Sequence, residues 1–272
     1  MFFDALEKEL KIRNFSQRTI TAYLYYNRDL VTYCRKDPTM IAEADIKDYL
    51  WYLLDQRHVA AATARLAMNA IKFYYRTVKK RRFYFNFGLP RGAKRLPVVL
   101  SKTEVAALLG AVTNVKHRLL LSLMYSAGLR VSEVVALKPE DFDLDYHVLW
   151  VRQGKGNKDR QTILADRVLN ELRQRLAAAP VGHYVFSGQG PGSHLTTRSV
   201  EKVFQQALEL AGIKKQATCH SLRHSFATHL LESGVDAVYI QKLLGHRRLE
   251  TTLIYARIAS NFVGRITSPL DS

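Results

Sequence analysis

The stretch 218–256 constrains the fold more than any other, because its apolar spacing and its glycines leave room only for short helices. Leu222, Phe226 and Leu230 recur every fourth residue, the period of a helix that buries one stripe. Gly234 stops that helix. The segment 236–244 reads as a second helix closed by Gly245, and 249–258 reads as a third. His220, Arg223 and His224 stand at i, i+3 and i+4 and share one face of the first helix. His246 follows the second glycine, and Tyr255 sits on the third helix. Cations on one helix, a histidine at a turn and a tyrosine one element later can converge on a single bound anion, so the stretch is a candidate site as well as a core.

A chain of 272 residues suggests two domains, each able to bury a core. Apolar content of 47% with 24% charged residues excludes a disordered chain. The net charge of +17 is spread over both halves: residues 1–97 carry 19 Lys+Arg against 9 Asp+Glu, and 98–272 carry 22 against 15. A long polyanion is the partner that would use charge distributed in this way. The two cysteines, Cys34 and Cys219, are far apart and fit neither a disulfide framework nor a zinc site, which points to a reducing compartment. The N-terminal MFFDALEKEL lacks a signal-peptide pattern, and the apolar run at 119–129 is too short to span a bilayer. A cytoplasmic protein with no membrane partner is expected.

The first domain reads as four helices, at 4–12, 16–35, 43–56 and 60–78, with Ser16 capping the second and Asp37-Pro38 breaking it. No strand signal occurs there. Between Gln56 and Thr103 there is not one carboxylate, yet the same span holds twelve basic residues. Nine of them, Lys72, Arg76, Lys79, Lys80, Arg81, Arg82, Arg91, Lys94 and Arg95, are candidate contacts to backbone phosphates. Aromatics interleave from Phe73 to Phe87, and part of that set is expected to be core. The Gly/Pro-marked segment 87–97 reads as a linker, which sets the domains at 1–86 and 98–272.

The second domain opens on a capping box, Ser101 to Glu104, before an apolar helix, and 116–127 forms another helix. A helix at 129–136 then carries Arg130 in its first turn, where a cation opposes the helix dipole. That placement suggests an anionic ligand, with a salt bridge to Glu133 as the simpler alternative. The segments 147–153 and 160–164 read as two strands joined by the hairpin Gly154-Lys155-Gly156-Asn157-Lys158-Asp159. Further helices are expected at 166–178 and 196–210. The fold class is mainly α with a small antiparallel sheet.

The strings AGLRVSE around Arg130, GKGNK around Lys155, HSLRH at 220–224, LGH at 244–246 and TTLIYA at 251–256 resemble, in order and spacing, the tyrosine recombinases of the phage integrase family. The compact size and the GKGNK and LGH forms are most similar to Xer-type recombinases and small integrases. The resemblance implies a SAM-like core-binding domain followed by an α+β catalytic domain. It makes Arg130 and Arg223 the phosphate-clamping arginines, His220 and His246 the two histidines of the site, Lys155 the hairpin lysine and Tyr255 the nucleophile. Glu133 matches the acidic position that orients the first arginine. Lys158 is the hairpin's other lysine, and the resemblance favours Lys155.

These groups suit metal-free cleavage of a DNA strand. A phenol with a free pKa of about 10 needs a neighbouring acceptor or a cationic field to attack phosphorus, and two histidines can supply both. Two guanidiniums match the nonbridging oxygens, and a lysine can protonate the leaving 5′-oxygen. The product is a covalent 3′-phosphotyrosine that a 5′-hydroxyl reseals, so no cofactor is expected. The resemblance further implies a homo-tetramer on two double-stranded DNA sites, with a second recombinase or an accessory protein as a possible partner, in dimer resolution or in the integration and excision of mobile elements. The tail beyond Ala259, with Phe262, Val263 and Ile266, is a candidate contact to a neighbouring protomer. A DNA-binding regulator on the same scaffold and a type IB topoisomerase-like nicking-resealing enzyme are the alternatives.

Overall fold

Ser16 starts the longest helix among the described residues, and its hydroxyl accepts from the Thr19 amide at 3.3 Å. The computed structural model describes residues 3–84, 88–89, 96–152, 159–177, 182–190 and 192–256. Two compact units result, Met1–Arg95 and Leu96–Ser272. Most of the expected linker at 87–97 lies outside the described residues, as do the hairpin 153–158 and everything beyond Ala256. Among the described residues no helix is long and apolar enough to cross a membrane.

The first unit consists of α1 (Asp4–Ile12), α2 (Gln17–Cys34), α3 (Glu43–Asp55) and α4 (Ala61–Phe73). Arg35 turns left-handed (φ 51°) to end α2. The Asp45 carboxylate then accepts from the Ala42 amide at 2.8 Å to start α3. Buried Ala64, Ala67 and Ala70 give α4 a smooth face on which α2 lies. The last expected helix does not run regularly to Val78: α4 passes at Tyr74–Val78 into one wider π turn. Both Tyr74 and Tyr75 are buried there, at 1% exposure each, so these aromatics of the basic stretch belong to the core.

The second unit begins with α5 (Lys102–Gly110), whose capping box is formed as expected, with Ser101 Oγ accepting from the Glu104 amide at 3.1 Å. Next come α6 (Val115–Ser126) and the short α7 (Val131–Val135). The sheet contains three strands, β1 (Phe142–Asp143), β2 (Val148–Val151) and β3 (Arg160–Ile163), antiparallel and in that order. β1 was not expected; two residues are too few for an alternation to be visible. The register pairs Val148 with Ile163 and Val151 with Arg160. Leu149, Val151 and Thr162 therefore face the core, and Trp150 and Ile163 face out. Thr162 Oγ1 donates to Ala127 O at 2.8 Å, which fixes the sheet to the end of α6.

Five helices complete the unit: α8 (Asp166–Ala177), α9 (Thr197–Leu210), α10 (Cys219–Glu232), α11 (Ala237–Leu244) and α12 (Leu249–Ala256). α10 is buried over most of its surface and packs on α6, α9, α11 and α12, so Ser221, Arg223, Ser225, Thr228 and His229 lie inside the domain while His220 is exposed. Removing a side chain such as Leu222 from water contributes about 1.5–3 kcal/mol. Gly234 (φ 89°) follows α10, and Gly245 (φ 65°) closes α11 in the left-handed region that glycine enters without strain.

Candidate active site

Arg130 does not sit in a first helical turn. It occupies the N-cap of α7, and Glu133 is the third residue of that helix. The Glu133 carboxylate turns back to accept from the Arg130 amide at 2.8 Å and from Arg130 Nη1 at 2.5 Å. A cation at the N-cap is thus matched by an anion at the same helix end, and the dipole conflict inferred from the sequence disappears. The simple i, i+3 salt bridge is present, but it is only part of the arrangement.

Two further guanidiniums reach the same carboxylate. Arg160, at the start of β3, forks onto it with Nη1 and Nη2 at 2.9 and 2.7 Å. Arg223 of α10 lies 3.7 Å away and is 3% exposed. Arg223 donates Nη1 to Gly128 O at 2.6 Å and Nη2 to Leu244 O, two neutral acceptors that orient the guanidinium without cancelling its charge. Burial alone would raise Glu133, but the Arg160 fork first, and then Arg130, hold it down at about 2. Burial, and next Arg130, push Arg223 below the ordinary guanidinium value. Three cations around one carboxylate leave a positive excess, which is the electrostatic form of an anion site.

Gly128 makes this approach possible. Its φ is +63°, and a Cβ there would lie 2.4 Å from Phe226 Cδ1 and 2.9 Å from Leu244 Cδ2. Only a residue without a side chain brings the Gly128 carbonyl within reach of Arg223.

His246 stands just beyond the left-handed Gly245. Its Nδ1 faces Thr252 Oγ1 at 2.9 Å, which fixes the ring. The ring stacks on Tyr255 with centroids 6.2 Å apart and planes 22° from parallel. Tyr255 is 3% exposed, and its hydroxyl meets His224 Nδ1 at 3.0 Å. His220 lies edge-on to His224 at 5.9 Å, on the exposed side of α10. Burial, then His220 and Arg223, hold His224 down at about 4. Burial, then Arg223, Arg130 and Arg160, hold His246 down at about 4. His220 is lowered too, by burial first and then Arg223. His224 and His246 are therefore neutral near pH 7 and available as proton acceptors. Burial raises the Tyr255 phenol, an effect that Arg223 and Arg130 partly offset. The phenol is protonated at rest, and with the imidazole proton on Nε2 it donates to His224 Nδ1.

Arg130, Glu133, Arg223, His220, His246 and Tyr255 thus meet in one region, as the sequence motifs suggest. Lys155 and Lys158 lie outside the described residues. Two members of the cluster, His224 and Arg160, had been assigned no role from sequence. His224 carried a signal, since it shares the helix face of His220 and Arg223. Arg160 carried a weaker one, its place on the core side of a strand. A cleft of about 1250 Å³ opens on this cluster, lined by Arg130, Arg160, Lys242, His246, Arg247 and Arg248 among others. Among the described residues no group of three or more His, Cys, Asp or Glu side chains is arranged to hold a metal ion.

In the first unit, Lys72, Arg76, Lys79, Lys80, Arg81 and Arg82 are all exposed. Lys72, Arg76, Arg81 and Arg82 line one hollow of about 290 Å³ with Tyr75, Phe83 and Tyr84. Arg81 also donates Nη1 to Ile41 O at 3.0 Å, so part of its role is to hold the segment before α3. Arg91, Lys94 and Arg95 fall outside the described residues.

Comparison with known proteins identifies the family. Residues 98–261 match the phage integrase family, and residues 2–84 match the phage integrase N-terminal SAM-like domain. A putative integrase/recombinase from Sinorhizobium fredii is 37% identical over 98% of this chain and 87% of its own length. The tyrosine recombinase XerC of Chlamydia trachomatis is 37% identical over 76% of this chain and 71% of its own. A crystal structure of the XerH site-specific recombinase, bound to a palindromic difH substrate after cleavage, superposes with a TM-score of 0.71 over 96% of this chain and 82% of that one. At 23% identity that likeness is one of fold. The chain belongs to the phage integrase family of tyrosine recombinases. It is a site-specific recombinase that cleaves and rejoins DNA.

Proposed function

We propose that Tyr255 is the nucleophile of this recombinase and that the scissile phosphate binds between Arg130 and Arg223. The phenol oxygen bonds to phosphorus, the bond from phosphorus to the 5′-oxygen breaks, and a 3′-phosphotyrosine remains. The phenol proton passes to His224 Nδ1, the acceptor 3.0 Å away. Lys155 protonates the departing 5′-oxygen, the role that the motif GKGNK supports. In the pentacoordinate transition state the nonbridging oxygens gain charge, which the two planar guanidiniums meet in fixed positions set by Glu133, Gly128 and Leu244. His246 borders the same phosphate, and His220 adds a donor on the exposed side. Attack by a 5′-hydroxyl of another strand reverses the steps with atoms and charge conserved.

The observation that carries this reading is the contact between a buried phenol and a neutral imidazole beside two arginines tied to one carboxylate. The exposed cations of 72–82 supply sequence-independent contacts to flanking phosphates. XerH is bound to a palindromic difH substrate, and a double-stranded DNA site is proposed as the substrate of this chain. The reading extends to four protomers on two such sites in the cytoplasm, in Xer-like dimer resolution or in the movement of a genetic element.

The test uses a nicked duplex selected by the wild-type protein from a randomised library. Tyr255→Phe keeps the ring's packing and removes only the hydroxyl, so DNA affinity stays while covalent adduct on denaturing gels disappears. Adduct formed by that variant would move the nucleophile elsewhere.

A further inference from the structure

We propose that Arg160 is a positioning residue of the phosphate clamp: it holds the Glu133 carboxylate in the orientation that aims Arg130, and does not itself bind the scissile phosphate. The inference rests on the reading of Arg130 and Arg223 as that clamp. Arg160 directs three nitrogens at protein acceptors. Nη1 and Nη2 fork onto the two oxygens of Glu133, and Nε donates to Leu243 O at 2.8 Å. Its side chain is 8% exposed, against 20% for Arg130. A carboxylate gripped on both oxygens cannot rotate, so the edge it offers to the Arg130 amide and Nη1 is set by the Arg160 fork.

The surrounding backbone is shaped for that fork. Val151 stands opposite Arg160 in the sheet, which turns the arginine to the core face of β3. Gly245 lies over its stem: a Cβ there would meet Arg160 Cδ at 2.8 Å, in a residue already at φ +65°. Arg160 thus ties β3, α7 and the turn before His246 to one another, three elements that are separate along the chain. A lysine could supply the charge but not two parallel bonds and a third at Nε.

The defect expected on removing Arg160 is chemical and directional. A misplaced Arg130 fails to meet charge on a nonbridging oxygen, so a substrate lacking that charge should not notice the loss. The experiment compares wild type with Arg160→Gln and Arg160→Lys on the selected nicked duplex, prepared with a natural phosphodiester, a methylphosphonate or a 5′-bridging phosphorothiolate at the cleavage position. On the phosphodiester Arg160→Gln forms adduct slower by about 10²-fold with DNA affinity little changed. On the methylphosphonate the gap to wild type closes by at least about tenfold, and Arg160→Lys falls between the two proteins. If Arg160→Gln does not fold, Arg160→Lys carries the comparison alone. A gap equal on all three substrates means that Arg160 only supports the fold, and overturns the proposal. A gap that closes on the phosphorothiolate instead assigns Arg160 to the leaving-group side, and also overturns it. Wild type that forms no adduct on any of them would instead refute the reading of Tyr255 and its clamp.

Discussion

Replacing Glu133 with glutamine leaves volume and shape almost unchanged and removes the one negative charge among three guanidiniums. The carboxylate is 7% exposed, accepts from the Arg130 amide, from Arg130 Nη1 and from both forks of Arg160, and lies 3.7 Å from Arg223. Its pKa falls from 4.5 to about 2. At 1.36 kcal/mol per unit that shift corresponds to about 3 kcal/mol. Removing one partner of a buried ion pair typically costs about 3–5 kcal/mol, so the two routes agree. For a domain of this size each kcal/mol lowers Tm by about 2–4 °C, and Glu133→Gln is expected to unfold roughly 6–12 °C below wild type in circular dichroism at neutral pH. The folded pKa is depressed, so the contribution is complete above about pH 4.5 and is lost as pH falls through about 2; the difference between the proteins must therefore shrink in acid. Sulfate should raise the variant's Tm more than the wild type's, because the variant lacks the carboxylate that competes for the guanidiniums. A Tm within about 2 °C of wild type at pH 7, with no differential response to sulfate, would refute the view that this carboxylate compensates buried charge.

Two further substitutions probe the same geometry. His224→Ala removes the acceptor at 3.0 Å from the phenol and should slow adduct formation by about 10²-fold with DNA affinity retained; a full-rate His224→Ala beside a slow His246→Ala would assign the proton to His246. Gly128→Ala forces a Cβ to 2.4 Å from Phe226 Cδ1 at φ +63° and should cost more than about 1–3 kcal/mol, seen as a lower Tm together with lost adduct; a wild-type melting curve would show that the turn can widen.

The second half of the site was legible because helix punctuation is local. Gly234 and Gly245 adopt the left-handed turns that their positions suggested, and the motif residues fall on α10, the turn after α11, and α12. The helix was expected to start at 129 and starts two residues later, at Val131, which moves Arg130 from the first turn to the N-cap and changes its electrostatic meaning. β1 escaped notice because its two residues acquire strand character only by pairing with β2. Arg160 and His224 were hidden for a different reason. The helix face that His224 shares with His220 and Arg223 marks its place but not its partner; both roles depend on carboxylate and phenol groups brought in by distant segments. Tyr74 and Tyr75 agree with the expectation that part of the aromatic set beside the cations is core, since the π turn buries both; which members would be buried was not visible without that turn.

As the proposed nucleophile, Tyr255 would be a hazard to DNA whenever it is idle. The ring of Tyr255 belongs to a small apolar cluster with Phe226, Leu231, Ile240 and Leu244, and its hydroxyl is already satisfied by an imidazole. Water and stray phosphodiesters therefore find no reactive oxygen at the surface of the resting protein. For the proposed reaction the scissile phosphate must reach a phenol that the fold keeps buried, so access to Tyr255 precedes any bond breaking.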